Sequence, residues 1–466
     1  MKLRNRFLAT LLVILILLAC RSTLPSQTPA TTQTVFVNHL RFKATYTPFP
    51  SVTPLPSPTF TAEIPISTLI PTENFLDLPT ATQIPVAAQL RILDNLWEIV
   101  DQFYIYPDFN GLDWSSIHQE FKDEIANGLS NEGFYFGLSS LITSLGDEHS
   151  FFLDPQQVAD QKSEYEGTFS YVGIGVYVSA VPERKRAVIL SVSPGSPAET
   201  GGLKPRDSIL SVDGTPILDE DGYLRDIVRG PEGSELDVIV QSPGEVPRQV
   251  HLVRQELSAN YPVAYQVIST PQGKRIGYIF LLTFMVDNVD EQVAAALVEM
   301  SSQGALDGLI LDNRMNEGGS SWVMEPVLSY FTGGNLGSFV SRSATTPLEI
   351  KQHDIEGSTE VPLVVLVGSG SASFGEISSG ILQDIGRATI IGTTTDGNVE
   401  ILSGYDFEDG SELWLATETF RPFNHPEQDW EKTGIIPDLT VPGDYDQYAF
   451  ENDPVILAAV QYLTGE

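Results

Sequence analysis

One cysteine among 466 residues, Cys20, leaves no intramolecular disulfide and no multi-cysteine metal site. Basic residues are scarce too: 26 Lys and Arg stand against 61 Asp and Glu, a net charge of −35. A surface of that sign repels phosphate backbones, which argues against nucleic acid as a partner. The leading apolar run, residues 7–19, has 13 residues. That is short of the ~20 a membrane-spanning helix needs. The Met, Asp and Glu residues show no metal-ligand spacing, so neither a metal nor any other cofactor is expected.

Lys2, Arg4 and Arg6 precede that apolar run, and it stops at the sole cysteine. A charged leader, a short apolar stretch and a small residue before a cleavage point form a secretory signal over residues 1–20. Leu17-Leu18-Ala19-Cys20 resembles a bacterial lipobox, which implies lipidation at Cys20 and an extracytoplasmic body anchored to the bacterial membrane. Eleven of the 31 prolines fall between residues 21 and 85. Closely spaced prolines remove backbone donors and fix φ, so this stretch reads as an extended stalk without chemistry.

The remaining chain divides into three parts, each large enough to bury a core. Residues 86–160 read as helical: Leu90, Leu93, Leu96, Ile99, Val100 and Phe103 recur at helical spacing, and 114–125 and 134–145 form two further amphipathic runs. Residues 165–256 change to short β-rich runs separated by Gly and Pro turns. Residues 270–445 alternate apolar strand-length runs (276–282, 308–311, 363–367) with helical segments (290–300, 376–383), an α/β pattern. A segment 446–466 closes the chain. The fold class is multidomain α+β.

Two strand-to-turn junctions in the α/β part carry the chemistry. Leu309-Ile310-Leu311-Asp312-Asn313-Arg314-Met315-Asn316-Glu317-Gly318-Gly319 leaves a buried strand for a double glycine. Gly368-Ser369-Gly370-Ser371-Ala372-Ser373-Phe374-Gly375-Glu376 leads from a second strand into a helix. A serine at such a turn is exposed, and the amide after it lies at a helix N-terminus, suited to an oxyanion. The same composition also suits a loop that only caps the helix.

The β-rich part resembles a PDZ domain of the bacterial protease type. Tyr171-Val172-Gly173-Ile174-Gly175-Val176, Ser196-Pro197-Ala198 and Asp207-Ser208-Ile209-Leu210-Ser211-Val212-Asp213-Gly214 occur in order. The backbone of Gly173, Ile174, Gly175 and Val176 would receive a peptide's terminal carboxylate while the peptide adds as a strand. The whole order, with Asp-x-Arg-x-Asn-x-Gly-Gly, Gly-Ser-Ala-Ser-x-x-Glu and the terminal Gly434-Ile435-Ile436-Pro437-Asp438, resembles the C-terminal processing peptidases, or tail-specific serine proteases. That resemblance implies an α/β, crotonase-like peptidase core and substrates that are proteins or peptides with free C-termini. It places the nucleophile on Ser373 and the oxyanion donors on Phe374 and the Gly318-Gly319 turn, with Arg314 and Asn316 bracing that turn.

The pattern departs from the family at one position. The family's general base is a lysine in a Thr-Phe-Gly-Lys-Gly block, and this chain reads Thr395-Asp396-Gly397-Asn398-Val399 there. An amide cannot take a proton from a serine hydroxyl near neutral pH. Three readings remain open. A branch resembling the tricorn protease core uses a histidine from the N-terminal helical part, supported by a glutamate; here these fall on His149, in Gly-Asp-Glu-His-Ser, and Glu431. His425 is a further candidate histidine. Alternatively the chain is an inactive, peptidase-like protein acting as a PDZ peptide-binding module. A third reading takes Lys432 or Asp396 as the base.

Overall fold

The N-terminal helical part is welded to the α/β part by a short strand. In the computed structural model, which describes residues 83–147, 149–165, 170–258 and 262–465, helices span Val86–Phe103, Trp114–Ala126 and Asn131–Thr143. Asp113 and Ser130 cap the second and third by accepting the amides of Ser116 and Gly133, satisfying donors that a helix start leaves open. The expected signal, the lipidation residue Cys20 and almost all of the stalk lie outside the described residues. No described helix is long and apolar enough to cross a membrane.

After the third helix the chain turns sharply and enters the strand Phe151–Leu153, which pairs antiparallel with the long strand Glu412–Pro422. That pairing lets Ile92, Leu93, Leu96, Phe134 and Leu138 pack with Leu413, Leu415 and Ala416 in one apolar cluster. The helical part therefore shares a core with the α/β part. Glu412–Pro422 also pairs with Ile401–Asp406 and Gly334–Ser341, and the latter with Thr345–Ile350.

The central sheet has six strands in the spatial order Ala264–Ser269, Arg275–Phe280, Gly308–Asp312, Leu363–Val367, Ala388–Gly392 and Leu439–Thr440. Only the first pair is antiparallel. Gly308–Asp312 and Leu363–Val367 are buried at every position, as continuous apolar strands inside a two-sided parallel sheet should be. Helices Val289–Ser301, Ser321–Ser329 and Phe374–Asp384 cover one face. Val455, Ile456 and Ala459 of the last helix, Pro454–Thr464, pack on the other, against Ile276, Tyr278 and Phe280. The closing segment is thus part of the sheet's cover, a role its short sequence does not announce.

The PDZ-like part is a separate six-stranded sheet with its own apolar core. Its Gly175 has φ +83°, and a Cβ there would lie 2.2 Å from the Ser196 Cβ. Ile174 and Gly175 offer their carbonyls to the amides of Ala198 and Ser193, at 2.9 Å each. This part docks on the sheet through apolar and charged contacts: Val188 and Leu190 join Ile276, Tyr278 and Phe280 in one buried cluster. Arg206 reaches Asp453 Oδ2 at 2.8 Å, and Arg184 reaches Asp444 and Asp446.

Gly375, on the first turn of the helix after Ser373, illustrates how tightly the two motif turns are pressed together. A Cβ there would sit 2.1 Å from the Asn316 carbonyl oxygen, which already accepts the Ala372 amide at 3.0 Å. Gly375→Ala is expected to destabilise the protein by about 1–3 kcal/mol through overpacking. An unchanged thermal melting curve would show that the turns can separate freely.

Candidate active site

Ser373 stands between the strand Leu363–Val367 and the helix Phe374–Asp384, with φ +50° and ψ −128°. That conformation is rare for a residue with a side chain and is characteristic of strained functional turns. The site holds it from three sides. The Ser373 amide donates to the Asn398 carbonyl at 2.6 Å. Ser371 Oγ donates to the Asn313 carbonyl at 2.7 Å and accepts the Gly368 amide at 3.1 Å. Gly318 lies so close that a Cβ on it would fall 2.7 Å from the Ser373 Cβ and 2.9 Å from the Phe374 nitrogen. Ser373 itself is half-buried, and among the described residues its hydroxyl has no hydrogen-bond partner.

The double-glycine turn is braced as its residue types suggest. Arg314 grips Asp312 through Nε at 2.9 Å and Nη2 at 2.7 Å, and its Nη1 lies 2.8 Å from Asp453 Oδ2. Asn316 Oδ1 accepts the Gly318 amide at 3.0 Å, so that donor is already spent. The Gly318 carbonyl accepts the Phe284 amide at 2.7 Å. Among the described residues the amides of Gly319 and Phe374 donate to no acceptor. The geometry therefore separates the two glycines: Gly318 permits the close approach, and Gly319 keeps a free N–H.

His149 and Glu431, 282 positions apart, do meet: Nε2 lies 3.2 Å from Glu431 Oε1. Asp147 Oδ1 sets up the histidine turn by accepting the amides of His149 at 3.0 Å and Ser150 at 2.9 Å. Ser150 Oγ donates to Asp147 Oδ2 at 2.6 Å and accepts the Ala416 amide at 2.9 Å. The turn is thereby tied to the long strand, and His149 is left only 4% exposed.

A third group, unread in the sequence, completes this cluster. Glu400 Oε2 lies 2.8 Å from His149 Nε2, and Tyr106 hydroxyl donates to Glu400 Oε1. Glu431 Oε2 accepts the Val399 amide at 2.7 Å. Burial opposes the charge on His149, but hydrogen bonds and attraction from Glu400 and Glu431 outweigh it and hold its pKa at about 10. Burial pushes the Glu400 carboxyl up, against the pull of His149. The imidazole is an imidazolium turned toward two glutamates, and it makes no hydrogen bond with Ser373.

Residues 398–400 join the two halves of the site. Asn398 touches Ser373 through its backbone and Glu400 touches His149 through its side chain, two residues apart, a span of at most about 7 Å. Glu376 fastens this segment by accepting the Thr395 hydroxyl and the amides of Gly397 at 2.9 Å and Asn398 at 2.7 Å. Burial raises the Glu376 pKa to about 7 despite those three donors. The Asn398 side chain is buried, with Oδ1 unpartnered. His425 pairs with Asp384 at 2.7 Å. Asp384 is eleven residues along the helix from Ser373, about 16 Å away. Lys432 is mostly exposed on Asp429. Neither one hydrogen-bonds to Ser373.

The description Peptidase family S41 matches residues 275–441, PDZ domain residues 188–242, and Tricorn protease C1 domain residues 85–135. A carboxyl-terminal-processing protease of Synechocystis is 32% identical over 395 residues, covering 80% of this chain and 87% of that protein. The chain belongs to the carboxyl-terminal-processing proteases of family S41. For this peptidase, the chloroplastic carboxyl-terminal-processing peptidase 2 of Arabidopsis thaliana is 29% identical, covering 76% of the chain and 69% of that protein. The solved structure of a photosystem II D1 C-terminal processing protease superposes on the peptidase with a TM-score of 0.55 at 27% identity. It covers 76% of this chain and 93% of that one. The resemblance read from the motifs, the mixed α and β fold with a PDZ domain, and the assignment as a serine-type peptidase all stand.

Proposed function

We propose that the peptidase cleaves proteins near their C-termini with Ser373 as nucleophile and the amides of Gly319 and Phe374 as oxyanion donors. The observation carrying this reading is the Ser373 turn: positive φ and, among the described residues, a hydroxyl without a partner and two unspent amides on adjoining turns. The attacking Oγ would form a tetrahedral adduct whose negative oxygen takes both N–H groups, the arrangement that supplies much of the rate in acyl transfer. His149 is the proposed base in place of the absent lysine, with Glu431 and Glu400 orienting it. It accepts a proton only after the imidazolium has lost its own. Gly173, Ile174, Gly175 and Val176 would take the substrate's terminal carboxylate. The Cys20 lipid anchor would hold the protein on the extracytoplasmic face of the membrane.

The imidazolium cluster specifically favours a second reading, a peptide-binding module at rest. Fluorophosphonate labelling of the purified, chelator-treated protein at pH 10, where the imidazole is neutral, followed by mass mapping, separates the two. The peptidase reading expects the label on Ser373. An unlabelled protein that still binds carboxylate-ended peptides would establish the module instead.

A further inference from the structure

We propose that His149, Glu400 and Glu431 form a binding site for a divalent transition-metal ion of the zinc type. The ligand atoms are His149 Nε2, Glu400 Oε2 and Glu431 Oε1, all within 4.8 Å of one another. Both carboxylates converge on a single imidazole nitrogen, at 2.8 and 3.2 Å. A single N–H aligns well with only one of two acceptors: His149 Nε2 is hydrogen-bonded to Glu431 Oε1, and Glu400 Oε2, though 2.8 Å away, is a buried oxygen without an aligned hydrogen bond. A centre common to all three atoms would satisfy it.

The surroundings are built as metal ligands are usually supported. Each glutamate has one oxygen held by an outer donor and the other aimed inward. Tyr106 hydroxyl fixes Glu400 Oε1, and the Val399 amide fixes Glu431 Oε2 at 2.7 Å. Outer partners of this kind orient the ligating atoms and select one oxygen of each carboxylate. Metal–ligand distances of about 2.0–2.2 Å in a tetrahedral site separate ligand atoms by about 3.3 Å. The observed 2.8 and 3.2 Å need open by only a few tenths of an ångström. One nitrogen and two carboxylate oxygens suit zinc-type ions, whereas calcium and magnesium favour six or more oxygens. His149 and Glu400 side chains are 3% and 2% exposed, but Glu431 is 20% exposed and gives the ion a route from solvent.

The consequence for turnover rests on the peptidase reading: an ion on His149 Nε2 withdraws the proposed base and switches the enzyme off. The binding claim does not depend on that reading. The test is a calorimetric titration of the full chain with Zn2+ after chelator treatment, repeated with Co2+ to read the visible absorption of a tetrahedral site. One-to-one binding with that absorption is expected, lost in His149→Gln and in Glu400→Gln. Tyr106→Phe, which leaves all three ligands in place, should weaken binding about tenfold. Circular dichroism confirms that each variant folds, and Glu431→Gln replaces any that does not. Equal Zn2+ binding by the wild type and all folded variants would mean carboxylates elsewhere on this acidic protein, and would overturn the site. So would no binding at all. A protein that binds the ion but, once freed of it by chelator, takes no fluorophosphonate label at pH 10 would sustain the site and refute the peptidase reading.

Discussion

Ser373→Ala is expected to lower kcat/KM by about 10^4-fold or more while leaving the protein folded. In a serine peptidase the loss of the nucleophile removes the covalent route entirely, and residual turnover comes only from binding and the oxyanion donors. The structural cost is small for reasons visible at the turn. The Ser373 side chain makes no capping hydrogen bond, and among the described residues its hydroxyl has no partner to abandon. The anchoring contact, its amide to the Asn398 carbonyl at 2.6 Å, is a backbone bond that alanine keeps. The φ of +50° is equally demanding for both residues. Stability should therefore change by no more than about 0.5 kcal/mol. Turnover of a peptide with a free C-terminus, measured beside the melting curve, checks both parts. Retained turnover in a folded Ser373→Ala protein would remove Ser373 from the chemistry.

The second large effect is a pH profile displaced far to the alkaline side. Glu400 and Glu431 hold the His149 pKa at about 10, and a base must be neutral to accept a proton. In chelator-treated protein, kcat/KM should climb about tenfold per pH unit from neutrality and level off near pH 10. Glu400→Gln removes one of the two carboxylates, so the climb should shift toward acid and the rate at pH 7 should rise relative to the plateau. His149→Ala should flatten the profile and abolish most of the rate. A wild-type profile already flat at pH 7 would show that another group takes the proton.

Stability should run in the opposite direction. The folded pKa of His149 lies above its ordinary value near 6.5. Its contribution is therefore fully present below about pH 6.5 and is lost as pH rises through 10. The loss is on the order of 5 kcal/mol. Deprotonation that frees the base also loosens the turn–strand junction, so as pH climbs toward 10 activity should rise while the melting temperature falls.

Much of the architecture was readable from local pattern. Gly308–Asp312 and Leu363–Val367 appear as strands because a strand buried on both faces is apolar throughout. The helices Val86–Phe103 and Phe374–Asp384 follow from periodicity and from small residues at the preceding turn. Gly318 and Gly319 stand out because φ values of +97° and +141° belong to residues without a side chain. Glu400 was not readable. It sits in a segment without regular structure, and nothing in Asn398-Val399-Glu400 marks one acidic residue among 61 as buried. The available signal was indirect: an acidic residue two positions after the place where the family lysine is missing.

Composition and local order alone settled the acidic balance, the absence of disulfides, the sequence of parts, and the serine and double-glycine turns. These depend on residue type and near neighbours, which the linear chain already contains. The protonation state of His149, the choice of Gly319 over Gly318 as free donor, and the convergence of Tyr106, His149, Glu400 and Glu431 belong to the tertiary structure. They arise when the strand Phe151–Leu153 pairs with Glu412–Pro422 and carries His149 beneath two carboxylates from distant segments. Burial there strengthens charge interactions that water would otherwise screen, and no spacing rule along the chain encodes which charges are buried together.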